Sequence, residues 1–182
     1  MKANSFVLAI IAMACVTSLQ AQKLSEGNLN FLKGTERLNV VIDYSDMLIQ
    51  GNPEQTAYEL KGEEWAEKWE TAKETSYPKE FIAHLNKNLN IRKAVLPCGD
   101  YPEAEYQATV RVLTVGRIWG IECEVIFTKT GESLPLAVVK NLKGDSRRWG
   151  GIGGGGSNTY LTGTAFAFAG QNLGVFMAKS IR

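Results

Sequence analysis

The chain has 182 residues, with 20 basic side chains, 19 acidic side chains and one histidine. This length suits one domain with its own core, and a nearly balanced charge without a concentrated basic surface argues against a nucleic-acid partner. A single histidine excludes metal sites that need two imidazoles from one chain, and we expect neither a metal nor a cofactor.

Residues 1–21 have the layout of a cleaved secretory signal peptide. Lys2 provides a positive start, residues 6–14 are an unbroken apolar run, and small residues precede Gln22. The run is shorter than the roughly 20 residues that span a bilayer, so we predict cleavage after Ala21. The mature chain then works outside the cytoplasm, in the periplasm, in the envelope or as a secreted protein.

A lipid anchor is the alternative for this leader. Cys15 would then be the lipid-bearing first residue of a lipoprotein, although Ala12 stands where such signals usually carry leucine. Membrane contact would otherwise require the C-terminal helix.

The mature chain is predicted to consist of an N-terminal extension, residues 22–36, followed by one domain, residues 37–182. Residues 37–49 are rich in β-branched and apolar side chains and predict a core strand. The spacing of apolar residues then predicts amphipathic helices over residues 65–73 and 78–90.

Alternating patterns predict four further strands, and an uncharged segment predicts a last helix from about Ser157 to Ile181. The strands are expected over residues 91–96, 104–119, 121–128 and 134–142. This order favours an α+β two-layer sandwich. Its sheet would have about five strands, be mainly antiparallel and be covered by helices on one face.

Two segments carry a family resemblance. Val40–Ser45 opens the domain, and residues 158–179 close it. Together with the leader, they resemble the small secreted α/β domains of uncharacterised bacterial envelope proteins and lipoproteins. The resemblance implies a fold class and a location, and it carries no activity.

Cys98 and Cys123 are the cysteines of the predicted mature domain. They could pair as a disulfide in an oxidising compartment, or they could be two buried free thiols. Their spacing matches neither a redox motif nor a zinc motif.

A glycine-rich segment formally satisfies the G-x-G-x-x-G pattern of dinucleotide-binding loops. The chain ends too soon after it for the βαβ units that such a fold requires. We therefore expect a flexible loop. Its glycines are Gly151, Gly153, Gly154, Gly155 and Gly156.

The predicted partner-binding region is Arg147, Arg148 and Trp149 beside this loop, with Trp119 at a strand end as the second choice. The last helix carries small residues at intervals of three or four, which predicts close packing. Packing within the domain is the first interpretation of that pattern, and self-association is the alternative.

The sequence favours a non-enzymatic module that binds another protein or assembles with itself. A glycan-binding module that uses exposed tryptophans is one alternative. An extracytoplasmic hydrolase is the other, with His84, or Asp43 and Glu122, at a pocket. No catalytic residue is assigned, because no nucleophile motif accompanies these groups.

Overall fold

The computed structural model describes residues 22–145 and 157–181, which fold into helices and one mixed sheet. A 3₁₀ turn, Asn30–Leu32, follows the first strand. The elements in chain order are β1 (Lys23–Gly27), β2 (Leu38–Asp43), β3 (Leu48–Ile49), β4 (Asn52–Pro53), α1 (Glu54–Lys61), α2 (Glu63–Glu74), α3 (Ser76–Ile91), β5 (Cys98–Gly99), β6 (Tyr106–Val115), β7 (Ile121–Lys129), β8 (Pro135–Gly144) and α4 (Asn158–Ile181).

The described strands form an eight-stranded sheet with the order β1-β8-β7-β6-β2-β5, to which β3 adds beside β6 and β4 beside β3. The β6-β7-β8 meander is antiparallel, whereas β2 runs parallel to β5 and β6. The α+β class is therefore confirmed. A five-stranded, mainly antiparallel sheet is wrong, because three helices between β2 and β6 return the chain to the same end of the sheet and allow parallel pairing.

Two expectations about the chain's organisation also differ from the structure. Residues 22–36 are not an extension to the domain, since β1 pairs with β8 at the edge of the sheet. Residues 91–96 form no strand. Helix α3 continues to Ile91 and ends in a turn, where Lys93 has a φ of 58° and the amide of Ala94 donates to the carbonyl of Leu89.

The core is one cluster to which helices and strands both contribute. Burial alternates along β7, so that Cys123, Val125 and Phe127 are buried while the residues between them are half-buried. Helix α3 contributes buried side chains at four-residue intervals, as its apolar spacing predicts. The long strands and the helices consequently share a single core.

Helix α4 packs closely on its neighbours through small residues. A Cβ built on Gly170 would lie 2.1 Å from the carbonyl oxygen of Phe81 in α3. A Cβ on Gly144, at the end of β8, would lie 1.8 Å from the carbonyl oxygen of Ala165. The first interpretation of the small-residue pattern, packing within the domain, therefore accounts for these positions. The hydroxyl of Ser157 caps the helix by accepting from the amide of Tyr160 at 3.3 Å.

Candidate functional site

The described tryptophans form one cluster inside the domain. Trp65 stacks on Trp69 at 5.0 Å between ring centroids, and Trp119 lies 6.3 Å and 6.2 Å from these two rings. Trp119 adopts a φ of 60° in the turn between β6 and β7, and it is only 7% exposed. It therefore packs against helix α2, and the exposed strand-end contact predicted for it is not formed.

A partly buried polar network holds this cluster in place. A carboxylate oxygen of Glu54 accepts from Trp69 Nε1 and from Lys73 Nζ, both at 2.8 Å. Lys73 Nζ also lies 3.1 Å from Glu70, which accepts from the hydroxyl of Tyr58. The network joins α1 to α2.

The network shifts the pKa values of its members. Burial raises the pKa of the Tyr58 hydroxyl, and the hydrogen bond to Glu70 adds to that effect. Burial alone would also raise the pKa of Glu70, but hydrogen bonds from Tyr58 and Lys73 outweigh it and lower the value. Glu70 is consequently held in its charged form, as a structural ion pair requires.

A cleft lies between α2, α3 and the first turns of α4, with a volume of about 730 Å³. Its floor consists of small residues, Ala72, Gly163 and Ala167. Tyr160, at its edge, is 67% exposed. The remaining described lining is polar and comprises Glu67, Lys68, Thr71, Thr75, Ser76, Glu80, His84, Ser157, Thr159 and Thr164.

Three threonine hydroxyls of this cleft donate to carbonyls of their own helices. Thr71 donates to the carbonyl of Glu67 at 2.9 Å, and Thr75 donates to that of Thr71 at 2.6 Å. Thr164 donates in the same way to the carbonyl of Tyr160 at 3.1 Å. A hydroxyl that donates to the helix backbone can still accept, so these groups present acceptor oxygens to the cleft.

His84, the histidine of the hydrolase alternative, lines this cleft beside an acid from its own helix. Its Nε2 lies 3.8 Å from Glu80 Oε2, one helical turn away. A hydrolytic triad needs a hydroxyl or thiol that donates to the imidazole. The three threonine hydroxyls described above donate to backbone carbonyls.

Asp43 and Glu122, the other catalytic pair considered, are far apart. Their strands are separated by β6, and their register partners on β6 are Arg111 and Thr114. Two strand spacings and three residues along the sheet place the two Cα atoms about 14 Å apart. Catalytic carboxyl groups lie roughly 5 to 9.5 Å apart, so these two side chains would have to extend towards each other across β6 to act as a pair.

The sheet face turned away from the core carries an apolar row, which we call the outer row: Val41, Thr109, Ile126 and Val138. These residues are register partners on β2, β6, β7 and β8. None belongs to the core cluster. Val41 is 40% exposed, Thr109 and Ile126 are half-buried, and Val138 is buried.

Paired polar groups flank the outer row on both sides. On one side Arg111 lies 2.7 Å from Glu124 and 3.6 Å from Asp46. On the other side Asn39 donates to Gln107 at 3.0 Å, and Gln107 donates back towards the row, to Thr109 at 3.1 Å. The flanking groups thus satisfy one another within the sheet face.

Cys98 and Cys123 are both buried and both free. Cys98 lies in β5 and Cys123 in β7, with β2 and β6 between them. Three strand spacings across the sheet put their Cα atoms more than about 14 Å apart, well beyond the Cα distance that a disulfide bridges. The disulfide alternative is therefore excluded by the sheet order. Burial raises the pKa of the Cys98 thiol to about 12.

The predicted contact residues Arg147, Arg148 and Trp149 lie outside the described residues, as do Cys15 and the glycines of the predicted loop, Gly151, Gly153, Gly154, Gly155 and Gly156. Among the residues that are described, no group of three or more histidine, cysteine or acidic side chains could hold a metal ion. No helix in the described ranges is long and apolar enough to cross a membrane.

Comparisons with known proteins complete this description. No protein-family model matches the chain, and no curated protein matches its sequence. The solved structure of the PelC dodecamer from Paraburkholderia phytofirmans is similar over 84% of this chain and 96% of that chain, with 9% identity and a TM-score of 0.37. A likeness at this level carries no conclusion about function or assembly.

Proposed function

We propose that this chain is a non-enzymatic module that works outside the cytoplasm and binds another protein through the outer row. The observation that carries the proposal is the in-register row of apolar and β-branched side chains on the sheet face opposite the core. Binding is stabilised when a partner removes such side chains from water.

The paired flanks favour a protein as the partner. Covering a polar group is costly when it loses its hydrogen bonds to water without replacement. Arg111, Glu124, Asn39 and Gln107 already bond to one another or to their neighbours, so a partner can cover them at a reduced cost. An apolar centre with a polar rim is the usual composition of a protein interface.

The area of this surface indicates how tightly a partner is expected to bind. Four strands of about 4.8 Å each by three side-chain rows of about 7 Å each give about 20 Å by 20 Å, roughly 400 Å². That is about half of what a standard interface buries on each partner. Unless the partner reaches beyond the sheet, we expect a transient complex, which should be trapped by crosslinking before capture.

The test is crosslinked capture from native envelope extract, comparing the unmodified chain with Ile126→Glu. A carboxylate at the centre of the row should remove the captured protein while the circular dichroism spectrum stays unchanged. Leu134→Glu is the matched control, since Leu134 is 73% exposed in the connection between β7 and β8. Equal capture by both variants would overturn the assignment of the outer row.

Two further experiments distinguish this interface from self-association and from the contact region predicted from sequence. Sedimentation of the purified chain shows whether the occupant is a second copy, because a dimer that Ile126→Glu dissociates would replace the foreign partner. Trp149→Ala tests the contact region predicted from sequence. Loss of capture with this variant but not with Ile126→Glu would move the interface to residues 147–149.

The location is tested separately by intact-mass measurement of the protein recovered from cells. We expect a mature chain that begins at Gln22. A chain that retains residues 1–21 in the cytosolic fraction would contradict the extracytoplasmic part of the proposal.

A further inference from the structure

The cleft between α2, α3 and α4 is separate from the outer row and contains groups that binding through the sheet does not use. Its volume of about 730 Å³ lies within the range of small-molecule sites. We propose that it binds a small polyhydroxylated ligand, a mono- or disaccharide unit.

The first argument is the shape of the floor. Ala72, Gly163 and Ala167 line the cleft where α2 and α4 face each other, and their short side chains leave the space open. A Cβ on Gly163 would meet only the ring of Tyr77, at 3.9 Å.

The second argument is a set of acceptor groups on a lining whose surface is otherwise mainly apolar. The oxygens of Thr71, Thr75 and Thr164 are left as acceptors, because each hydroxyl proton is already donated to a helix carbonyl. The carboxylates of Glu67 and Glu80 add acceptors. A few acceptors on an apolar surface match a ligand that brings both hydroxyl donors and C–H faces.

The third argument is an aromatic ring at the entrance. Tyr160 lines the cleft and is 67% exposed. An exposed aromatic face can pack against the C–H face of a pyranose ring, while acceptors deeper in the cleft receive its hydroxyl protons. Together, the ring and the acceptors provide the apolar and polar contacts that a sugar requires.

A diamine is the competing ligand, because the cleft also carries two carboxylates. Lys68 offsets part of that charge, although it is paired with Glu64 at 2.6 Å. The experiment therefore includes a cationic probe. If the carboxylates rather than the hydroxyl oxygens and Tyr160 select the ligand, the diamine will bind in place of the sugar.

The test is a titration of the ¹⁵N-labelled purified chain, followed by NMR. The probes are glucose, galactose, mannose, N-acetylglucosamine and its β-1,4-linked dimer, with putrescine as the contrast. We expect at least one sugar to cause saturable shifts that centre on Thr71, Thr75 and Thr164. Shifts caused by putrescine alone, or by none of the probes, would overturn the proposal.

Two variants link the binding to the cleft. Tyr160→Ala should lower the affinity for the sugar about tenfold through loss of the ring contact. Thr164→Trp should abolish binding by filling the cleft. Leu60→Ala, at an exposed position of α1 outside the cleft, should leave the affinity unchanged. Sugar binding that survives both cleft variants would place the ligand elsewhere. Neither result depends on the outer row, so failure here leaves the proposed protein-binding function standing.

Discussion

Gly170 of α4 lies directly against the backbone of Phe81 in α3. A Cβ on this glycine would be 2.1 Å from the carbonyl oxygen and 2.9 Å from the carbonyl carbon of Phe81. Two backbone groups cannot move aside as a flexible side chain can. The two longest described helices therefore owe their close approach to the absence of a side chain at this glycine and at Gly174, whose Cβ would lie 2.7 Å from the carbonyl oxygen of Leu85.

Gly170→Ala should destabilise the domain although alanine is the better helix former. The propensity gain is about 1 kcal/mol, whereas forcing α3 and α4 apart should cost more than that, leaving a net loss of about 2 kcal/mol. Urea unfolding followed by circular dichroism measures the change.

Gly163→Ala is the matched control in the same helix, since its Cβ would meet only a ring at ordinary contact distance. This substitution should raise the free energy of unfolding by up to about 1 kcal/mol. Equal destabilisation by both variants would show that close approach to Phe81 is not the cause.

Glu54→Ala should destabilise the domain by about 2 kcal/mol, because it leaves a buried donor and a buried ammonium without their shared acceptor. The groups left behind are Trp69 Nε1 and Lys73 Nζ, and the Lys73 side chain is only 12% exposed. Thermal unfolding with tryptophan emission reports both stability and the surroundings of the cluster.

Lys68→Ala is the comparison, because its ion pair with Glu64 lies in solvent on the surface of α2. Exposed pairs of this kind contribute little to stability, so the melting temperature of the Lys68→Ala variant should match that of the unmodified chain. A loss as large as that of Glu54→Ala would argue against burial as the source of the effect.

Glu70 should make stability depend on pH on the acidic side. Its pKa in the folded protein lies below the ordinary value of 4.5, so the unfolded chain takes up a proton first as the pH falls. The stabilisation is therefore complete above about pH 4.5 and declines as the pH falls through the folded-state pKa. Glu70→Gln should flatten this part of a curve of unfolding free energy against pH.

Glu132→Gln serves as the control for this titration, since Glu132 is exposed in the turn between β7 and β8. The curve of this variant should follow that of the unmodified chain between pH 3 and 5. If both variants flatten the curve equally, the acid sensitivity has another origin than the network around Lys73.

Several local features could be predicted because nearby residues determine them. The alternation along β7 and the four-residue spacing in α3 both come from one side of an element facing the core. The uncharged segment from Thr159 to Ala178 predicts a buried helix, which α4 is. The place of Trp119 could not be predicted, because it depends on a turn with a φ of 60° that directs the ring towards α2.

The sequence by itself determined β2, the three strands of the meander and helices α2, α3 and α4, since each of them has an apolar pattern of its own. It did not predict β1 or α1. It also determined the small residues that close packing requires. Only the tertiary structure decided which elements are neighbours: the parallel pairing of β2 with β6, the separation of Cys98 from Cys123, the outer row and the cleft. These features join residues that are distant in the chain, and periodicity within an element carries no information about what lies across it.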